Sequence, residues 1–401
     1  MNELDPDLRR SALTFASRLR KIKDDYVERD TAVDVVALAA LCREHVLLIG
    51  PPGTAKTAVL EQFSGMLQAR YFSYLLTKFT EPAELFGAID VRRFQEQKEL
   101  RVNTRGMLPE AEIVFLDEVF NGSSAILNTL LALVNERRFR NGSRLQRAHL
   151  ITLLGASNDV PEDPMLSAFC DRFLFRCTVE YVSQAAVDDV LDLGWVHEQR
   201  WLDEPDMPAV DEQDDEQDYD DPWARPDTAQ FSLDDLRALQ RAVFTIDLGP
   251  VRRSLATVLQ TLQDEKISFS DRRAVKAQKA IAASALIDGR ARAEPADLAV
   301  LTHLWSVPHD EIVIRRVLEA NEVPLPSQQA RVPDINDVRY QLRATGDQIP
   351  IVESGEELRE INRRLGRWLA DVRAFYPDQT EVLRTIGQLQ RLAIEKLRDT
   401  F

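Results

Sequence analysis

The chain is poor in the residues that build disulfide frameworks and structural metal sites. Its 401 residues include three cysteines, Cys42, Cys170 and Cys177, and five histidines. No two cysteines form a CxxC pair, their number is odd, and the histidines lack the spacing of zinc ligands. The composition therefore excludes a disulfide scaffold and favours a reducing compartment.

Long apolar runs and an excess of basic residues are also missing. No run approaches the roughly 18 apolar residues that a membrane-spanning helix needs, and the polar N-terminus does not resemble a secretory signal. We therefore expect a soluble, cytoplasmic protein. The formal net charge of −16 argues against a general nucleic-acid binder, which would carry a basic surface.

Much of the negative charge is concentrated in one stretch. Residues 203–221 hold eleven Asp or Glu and no Lys or Arg. Such a block is typical of a solvated, poorly ordered loop, and a specific acidic docking site is the alternative. The acidity is therefore a local feature rather than a property of the whole chain.

A glycine- and proline-rich stretch stands between a predicted strand and a predicted helix. The strand is the apolar run 45–49, and the helix follows to about residue 70. This context is typical of a phosphate-binding loop, whose backbone amides and helix dipole converge on an anion. The candidate nucleotide-binding residues are Gly50, Pro51, Pro52, Gly53, Thr54, Ala55, Lys56, Thr57 and Ala58.

Two side chains of this loop have specific expected roles. Lys56 should reach the terminal phosphates of a nucleotide, and the Thr57 hydroxyl should be a ligand of Mg²⁺. Ala55 departs from the general pattern, which has Gly before the Lys. Because Gly is needed only where φ is positive or a ligand comes very close, Ala fits if position 55 already turns into the helix. A turn that binds no nucleotide is the alternative.

A second motif places two carboxylates at the end of a buried strand. The apolar run 113–116 precedes Asp117 and Glu118, and open α/β sheets bind ligands at that end of their strands. Asp117 is expected to hold Mg²⁺, and Glu118 to activate the attacking water as general base. An acidic strand-to-helix turn is the alternative, which the Gly-rich loop disfavours.

The order of predicted elements divides the chain into three regions. Residues 1–180 alternate strands and helices, which predicts an α/β nucleotide-binding core with a parallel sheet. Residues 181–306 have no predicted strand and should form a small all-α domain. Residues 307–401 should form a helical extension, whose last helices, at about 355–375 and 378–399, can pair as a hairpin or dock on a partner.

Two segments interrupt the core. Residues 88–106 alternate weakly, and we interpret them as a hairpin-like insertion between two helical pieces. Asn141-Gly142 lies between two short polar strands and predicts a tight hairpin turn. Further along, one predicted strand ends in Asn158, and Arg172 stands just before the last predicted strand.

The order of the phosphate loop, the Asp-Glu strand, Asn158 and Arg172 resembles the AAA+ class of ATPases. The resemblance covers roughly residues 25–305 and implies an AAA+ αβα core followed by an all-α lid domain. Within that class the chain is similar to the MoxR family. The stretches that carry this similarity are 79–87, 114–118, 126–131 and 135–137, together with Ala55.

The RavA branch of that family is the most similar, judged by residues 108–112, 139–142 and 270–273. Residues 306–401 resemble the family less clearly. The resemblance implies that ATP and Mg²⁺ are the cofactors. It also implies a MoxR-type ATPase that works in an oligomeric ring to remodel or assemble a protein client.

The resemblance also implies roles for four polar residues. Asn158 matches the sensor-1 position, which orients the attacking water or the γ-phosphate. Arg172 matches the arginine finger, which would enter the nucleotide site of the next subunit of a ring, expected to be a hexamer. Arg272 matches the sensor-2 arginine and would contact the γ-phosphate of its own subunit, with Arg273 as the alternative. For each arginine, a surface salt bridge is the other interpretation.

MoxR relatives usually work with a partner that carries a von Willebrand factor A domain, so we expect such a partner here. The insertion 88–106 and the hairpin at Asn141-Gly142 could both touch the client. A nucleotide-gated scaffold with little turnover is the alternative. A DNA-directed motor is a third hypothesis, which the net charge disfavours although the Arg-rich segments 92–105 and 137–147 keep it open.

Overall fold

The computed structural model forms two compact units, Met1–Leu325 and Pro326–Phe401. The described residues are 4–161, 163–202, 231–267, 269–325, 335–352 and 379–399, with eleven of the residues between 358 and 376. The acidic stretch 203–221 lies outside these residues. No helix in the described part of the chain has an apolar stretch long enough to cross a bilayer.

A five-stranded parallel sheet lies at the centre of the first unit. The strands of the unit are β1 (His45–Ile49), β2 (Tyr71–Leu75), β3 (Ile113–Asp117), β4 (Arg138–Asn141), β5 (Arg144–Arg147), β6 (Thr152–Ser157) and β7 (Phe173–Thr178). The order across the sheet is β2-β3-β6-β1-β7, and β4 and β5 form a separate antiparallel hairpin. The three inner strands are buried almost throughout, because helices cover both faces of a parallel sheet.

Helices surround the sheet and link it to the all-α region. The helices of residues 1–202 are α1 (Pro6–Asp24), α2 (Asp30–Cys42), α3 (Lys56–Met66), α4 (Pro82–Phe86), α5 (Val91–Gln97), α6 (Ser124–Glu136), α7 (Pro164–Cys170) and α8 (Val187–Leu202). The all-α region contains α9 (Leu233–Ala242), α10 (Arg252–Asp264), α11 (Asp271–Ile287), the 3-10 segment Pro295–His303 and α12 (Pro308–Ala320). Helix α2 is almost entirely buried and contacts the sheet as well as α9 and α11. The predicted α/β core, all-α domain and helical C-terminal region are therefore confirmed.

The insertion after β2 differs in detail from its prediction. Its base is held by an antiparallel bridge between Ile89 and Val102, as a hairpin would be. The middle is the helix α5, however, because the Asp90 carboxylate accepts a hydrogen bond from the Arg93 amide and caps the first turn. The hairpin predicted at Asn141-Gly142 is present as the β4–β5 pair. Its two turn residues are Gly142 and Ser143, however, because Asn141 is the last residue of β4 and pairs with Arg144.

The insertion and the β4–β5 hairpin are joined by one buried side chain. The Asn141 amide accepts from the Val102 backbone nitrogen at 2.8 Å and donates to the Val102 carbonyl at 2.9 Å. The Asn141 side chain thus makes the two hydrogen bonds with Val102 that the backbone of a neighbouring strand would make. The two segments therefore form one surface element.

Helix α12 lies in the first unit. Its buried residues Val313, Ile314, Val317 and Leu318 belong to the same hydrophobic core as the sheet. The helix contacts α10 and the 3-10 segment. The predicted boundary lies between residues 306 and 307, whereas the compact unit continues to Leu325.

The second unit is a small helical body with a core of its own. Helices α13 (Ile335–Gln348) and α14 (Thr380–Asp399) contact each other. The core includes Val338, Leu342, Val382 and Ile386. The predicted helix at 378–399 corresponds to α14, while several residues of the predicted helix at 355–375 lie outside the described part of the chain.

A buried ion-pair cluster fixes the all-α region to the sheet. Glu44 lies between α2 and β1, and its carboxylate contacts Lys276 at 2.5 Å and Lys279 at 2.7 Å. Both lysines belong to α11. The Glu44 side chain is 8% exposed, so its charge depends on the two ammonium groups rather than on water.

Replacing Glu44 with Gln should lower the free energy of unfolding by about 2 kcal/mol or more, because two partly buried ammonium groups would lose their counter-charge. Chemical denaturation measures this change. The control is Glu265→Gln, because Glu265 pairs with Arg316 at 2.8 Å while both side chains are largely exposed. Its loss should cost less than about 1 kcal/mol. Equal costs for the two variants would contradict the structural role of Glu44.

Candidate functional site

The Gly-rich loop connects the end of β1 to the start of α3. A Cβ atom at Gly50 would lie 1.8 Å from the Val179 carbonyl oxygen, because the loop runs against the chain that leaves β7. Gly53 has φ +77° and open space around it, a conformation that favours glycine. Glycine is therefore required at position 50 because the Val179 backbone is so close, and at position 53 because φ is positive.

Ala55 adopts a left-handed conformation, with φ 59° and ψ 21°. It precedes the first residue of α3, so the condition under which Ala would fit without strain is not met at position 55. The Cβ atom makes this conformation cost roughly 1 kcal/mol. The general preference for Gly at this position therefore applies to this chain as well, and Ala55 bears the strain.

The Lys56 ammonium lies inside the loop. It donates to the Gly50 carbonyl at 3.0 Å and to the Pro51 carbonyl at 2.7 Å. Burial lowers the pKa of Lys56, while the nearby carboxylates of Asp117 and Glu118 oppose that shift. The loop lysine therefore lies near the carboxylate pair.

The two carboxylates occupy the carboxyl end of β3. The Asp117 carboxylate accepts from the Glu118 amide at 2.9 Å. Glu118 has φ 48° and ψ 45°, and such strain in a non-glycine residue is characteristic of functional sites. Burial raises the pKa of Glu118, the Asp117 charge raises it further, and Lys56 opposes both.

Asn158 is brought to the same place by the neighbouring strand. It follows β6, which lies between β1 and β3, and its amide donates to the Glu118 carboxylate at 3.0 Å. Because the carboxyl ends of parallel strands meet at one edge of the sheet, this edge gathers a cation, a carboxylate pair and an amide. Thr57 is exposed on the first turn of α3, and Ala58 is half-buried beside it.

Arg29 supports the loop from behind and was not found by sequence reasoning. Its Nε donates to the Thr54 carbonyl and another guanidinium nitrogen donates to the Glu180 carbonyl, both at 2.9 Å. The side chain is buried. No local pattern marks Arg29, since its partners are 25 and 151 residues away along the chain.

The site suits a divalent cation that is shared with a phosphate ligand. The described residues contain no group of three or more His, Cys, Asp or Glu side chains that could hold a metal ion. Mg²⁺ usually takes one or two protein oxygens together with waters and substrate phosphates. The oxygens of Thr57 and Asp117 are donors of the required kind.

A cleft of about 940 Å³ lies at the opposite edge of the sheet. Its wall includes His45, the first residue of β1, whereas the phosphate loop follows the last residue of that strand. The cationic residues of the cleft are Arg43, Arg137, Arg138, Arg147, Arg172, Arg272, Lys276 and Lys279. The cleft also contains Glu44 and Glu136, so cations predominate and an anion would be favoured there.

The predicted arginines fall in this cleft rather than at the phosphate loop. Arg172 is half-buried, and its Nε is buried without a hydrogen-bond partner in the described part of the chain. Arg272 is exposed on the same wall. The structure therefore does not bring Arg272 to the phosphate loop of its own chain, because α11 is fixed to the start of β1 through Glu44.

Arg273, the alternative to Arg272, is buried and already engaged. Its guanidinium contacts the Asp171 carboxylate at 3.2 Å and donates to the Ser306 hydroxyl. It also lies over the ring of Phe269. Arg273 is thus a structural contact within its own chain.

Two family models match the chain. One is described as the MoxR domain in the MoxR-vWA-beta-propeller ternary systems and matches residues 14–215. The other is an AAA lid domain and matches residues 247–318. Together they cover the sheet, both edges described above, and the helices α10 to α12.

The similar proteins include two uncharacterized proteins of Methanocaldococcus jannaschii, MJ0812 and MJ0079, each 33% identical to this chain. The alignment with MJ0812 covers 73% of this chain and 72% of the relative, and that with MJ0079 covers 75% and 73%. Chaperone MoxR1 of Mycobacterium tuberculosis is 25% identical over 42% of this chain and 45% of its own length.

A crystal structure of a Cytophaga hutchinsonii protein, suggested to be an ATPase, has the same fold. It superposes with a TM-score of 0.57 at 15% identity and covers 80% of this chain and 98% of that chain. This likeness supports the arrangement of sheet and helices.

Replacing Ala55 with Gly should raise the free energy of unfolding by up to about 1 kcal/mol, because Gly adopts the left-handed conformation without the Cβ clash. Thermal or denaturant unfolding measures the difference. Ala58→Gly is the matched control, since Ala58 lies inside the first turn of α3, where Gly costs roughly 1 kcal/mol. The prediction is wrong if both variants lose stability equally.

Proposed function

Because the chain belongs to the MoxR family of AAA+ ATPases, we propose that it binds and hydrolyses ATP at the carboxyl edge of its sheet. The observation that carries this proposal is the convergence of Lys56, Glu118 and Asn158 at the ends of three adjacent strands. A cation, a general base and an orienting amide are what hydrolysis of a phosphoanhydride requires.

Nucleotide binding is assigned to the loop and the start of α3. The amides at the start of α3 and the helix dipole attract the phosphates. Lys56 exchanges its contacts with the Gly50 and Pro51 carbonyls for contacts with phosphate oxygens. Thr57 and Asp117 would hold Mg²⁺, which supplies positive charge to the phosphate oxygens when bound.

Hydrolysis is assigned to Glu118, with Asn158 as its partner. Glu118 takes the proton of the attacking water, and its raised pKa makes it a stronger base than an ordinary glutamate. Asn158 fixes the carboxylate through their hydrogen bond at 3.0 Å. The left-handed backbone at Glu118 directs the side chain.

The separation of the two edges supports an oligomeric enzyme. Arg172 and Arg272 line the cleft at the amino edge, while Lys56 and Glu118 lie at the carboxyl edge. A head-to-tail arrangement of copies would join the two halves of the site, and a closed ring would do so for every copy. We expect six subunits, with Arg172 and Arg272 both acting on the nucleotide of the next subunit.

The work done with ATP is proposed to be remodelling or assembly of a protein client. Two comparisons support it: the family model is named for MoxR-vWA-beta-propeller systems, and a relative is described as a chaperone. We therefore propose a partner with a von Willebrand factor A domain, as part of a system that also contains a β-propeller. Membership of the RavA branch stays a prediction.

Lys56→Ala should abolish ATP binding, because the loop would lose its only side-chain cation. Glu118→Gln should bind ATP and hydrolyse it at least about 100-fold more slowly, because the general base is removed while the volume is kept. Binding of a fluorescent nucleotide and release of phosphate measure the two properties. Lys21→Ala, at an exposed position of α1, is the control and should change neither.

Unchanged phosphate release in both site variants would refute the assignment of this edge. A wild-type rate near zero at every protein concentration would favour the scaffold alternative. Stimulation of the rate by DNA would favour the motor alternative. A pull-down with the Glu118→Gln variant in the presence of ATP should also capture the protein partner.

Arg172→Ala should hydrolyse ATP roughly 1,000-fold more slowly but should still bind it, because the arginine stabilises charge only in the transition state. Mixing Arg172→Ala with Glu118→Gln should restore activity, since one variant keeps the base and the other lends the arginine. In a randomly mixed ring about a quarter of the sites would be complete. Absence of any recovery would contradict a shared site.

A further inference from the structure

We infer that Arg273 is a positioning residue for Arg172, which it acts on through Asp171. The inference rests on the proposed function, because it concerns the arginine that is lent to the next subunit. Arg273 lies on α11, whereas Asp171 and Arg172 form the turn between α7 and β7. The all-α region would thereby set the direction of a catalytic side chain in the core.

Two buried arginines hold this turn from different sides. Arg273 contacts the Asp171 carboxylate at 3.2 Å. Arg176, on β7, donates to the Cys170 carbonyl at 3.0 Å. The Arg172 amide itself donates to the Phe169 carbonyl at 3.0 Å. Three successive residues before Arg172 are therefore held, two through their carbonyl groups and Asp171 through its carboxylate.

Arg273 and Arg176 both also contact Ser306. Arg273 donates to the Ser306 hydroxyl and Arg176 donates to the Ser306 carbonyl. Ser306 in turn donates its amide to the Asp310 carboxylate at 2.9 Å, at the start of α12. The contact chain thus runs from α11 and α12 to the turn, without a gap.

Burying these two guanidinium groups costs free energy, which their contacts must offset. Arg273 is 6% exposed and Arg176 is 3% exposed. Burial lowers the pKa of both, that of Arg176 to about 10. The Asp171 and Asp310 carboxylates oppose this lowering for both arginines, so the charges of the cluster depend on these two groups.

One nitrogen of the Arg172 guanidinium lacks, within the described part of the chain, a hydrogen-bond partner that could orient it. Its Nε is buried without a hydrogen-bond partner among the described residues. Its direction into the cleft therefore depends on the backbone turn rather than on a side-chain contact at that nitrogen. A shift of about 1 Å at a catalytic group can cost on the order of 100-fold in rate.

The first test compares Arg273→Ala with Asp171→Asn. Each should lower the maximal rate of ATP hydrolysis by about 10- to 100-fold, because Arg172 would be misplaced. The nucleotide affinity should stay unchanged, because neither substitution touches the phosphate loop. The double variant should lose no more than either single variant. Arg273→Lys, which keeps the charge, should recover part of the rate. Arg292→Ala, at an exposed pair with Asp247, is the control and should keep full activity.

Full activity of Asp171→Asn beside a damaged Arg273→Ala would overturn the inference, since Arg273 would then act without Asp171. Additive losses in the double variant would overturn it as well. If Arg273→Ala fails to fold, Asp171→Asn decides alone. The Asp171 side chain is half exposed, Asn keeps its volume, and the Asp310 carboxylate still balances the Arg273 charge.

The second test locates the defect within the ring. Arg273→Ala mixed with Glu118→Gln should recover activity, as the Arg172→Ala mixture does, because the damaged subunit keeps its own nucleotide site. Recovery with Arg172→Ala but not with Arg273→Ala would overturn this inference and leave the proposed function standing. No recovery in either mixture would instead reject the shared site itself.

Discussion

The parallel alignment of the strands is the constraint on which the rest of the structure depends. It places the ends of β1, β3 and β6 at one edge and their beginnings at the other. Side chains that follow the strands, such as Glu118 and Asn158, meet at the first edge. Side chains that precede strands, such as Glu44 before β1 and Arg172 before β7, meet at the second. One chain therefore carries two chemically different clusters of side chains, which its own backbone keeps apart.

Buried charged side chains connect elements of the fold that are far apart in sequence. Glu44 with two lysines, Arg273 with Asp171, and Arg29 with two carbonyls each join segments that are distant along the chain. Such groups are costly to remove from water and contribute little net stability. Their contribution is specificity: each defines one arrangement of the all-α region, the turn before β7 or the phosphate loop.

Sequence reasoning succeeded where the signal is local. The loop at Gly50, the carboxylates after β3 and the β4–β5 turn are each specified by neighbouring residues, and the sheet follows from their order. It failed where tertiary packing decides. The left-handed φ of Ala55, the helix inside the insertion and the support from Arg29 have no pattern of their own. The position of Arg272 depends on how α11 packs on the core, which spacing alone does not contain.

Arg29 has a mechanical consequence. Its guanidinium is bonded both to the phosphate loop at Thr54 and to the exit of the last strand at Glu180. Displacement of the loop on exchange of its ligand would therefore pull on the chain that leads toward α8. A single side chain therefore couples the position of this loop to the position of the segment that follows β7.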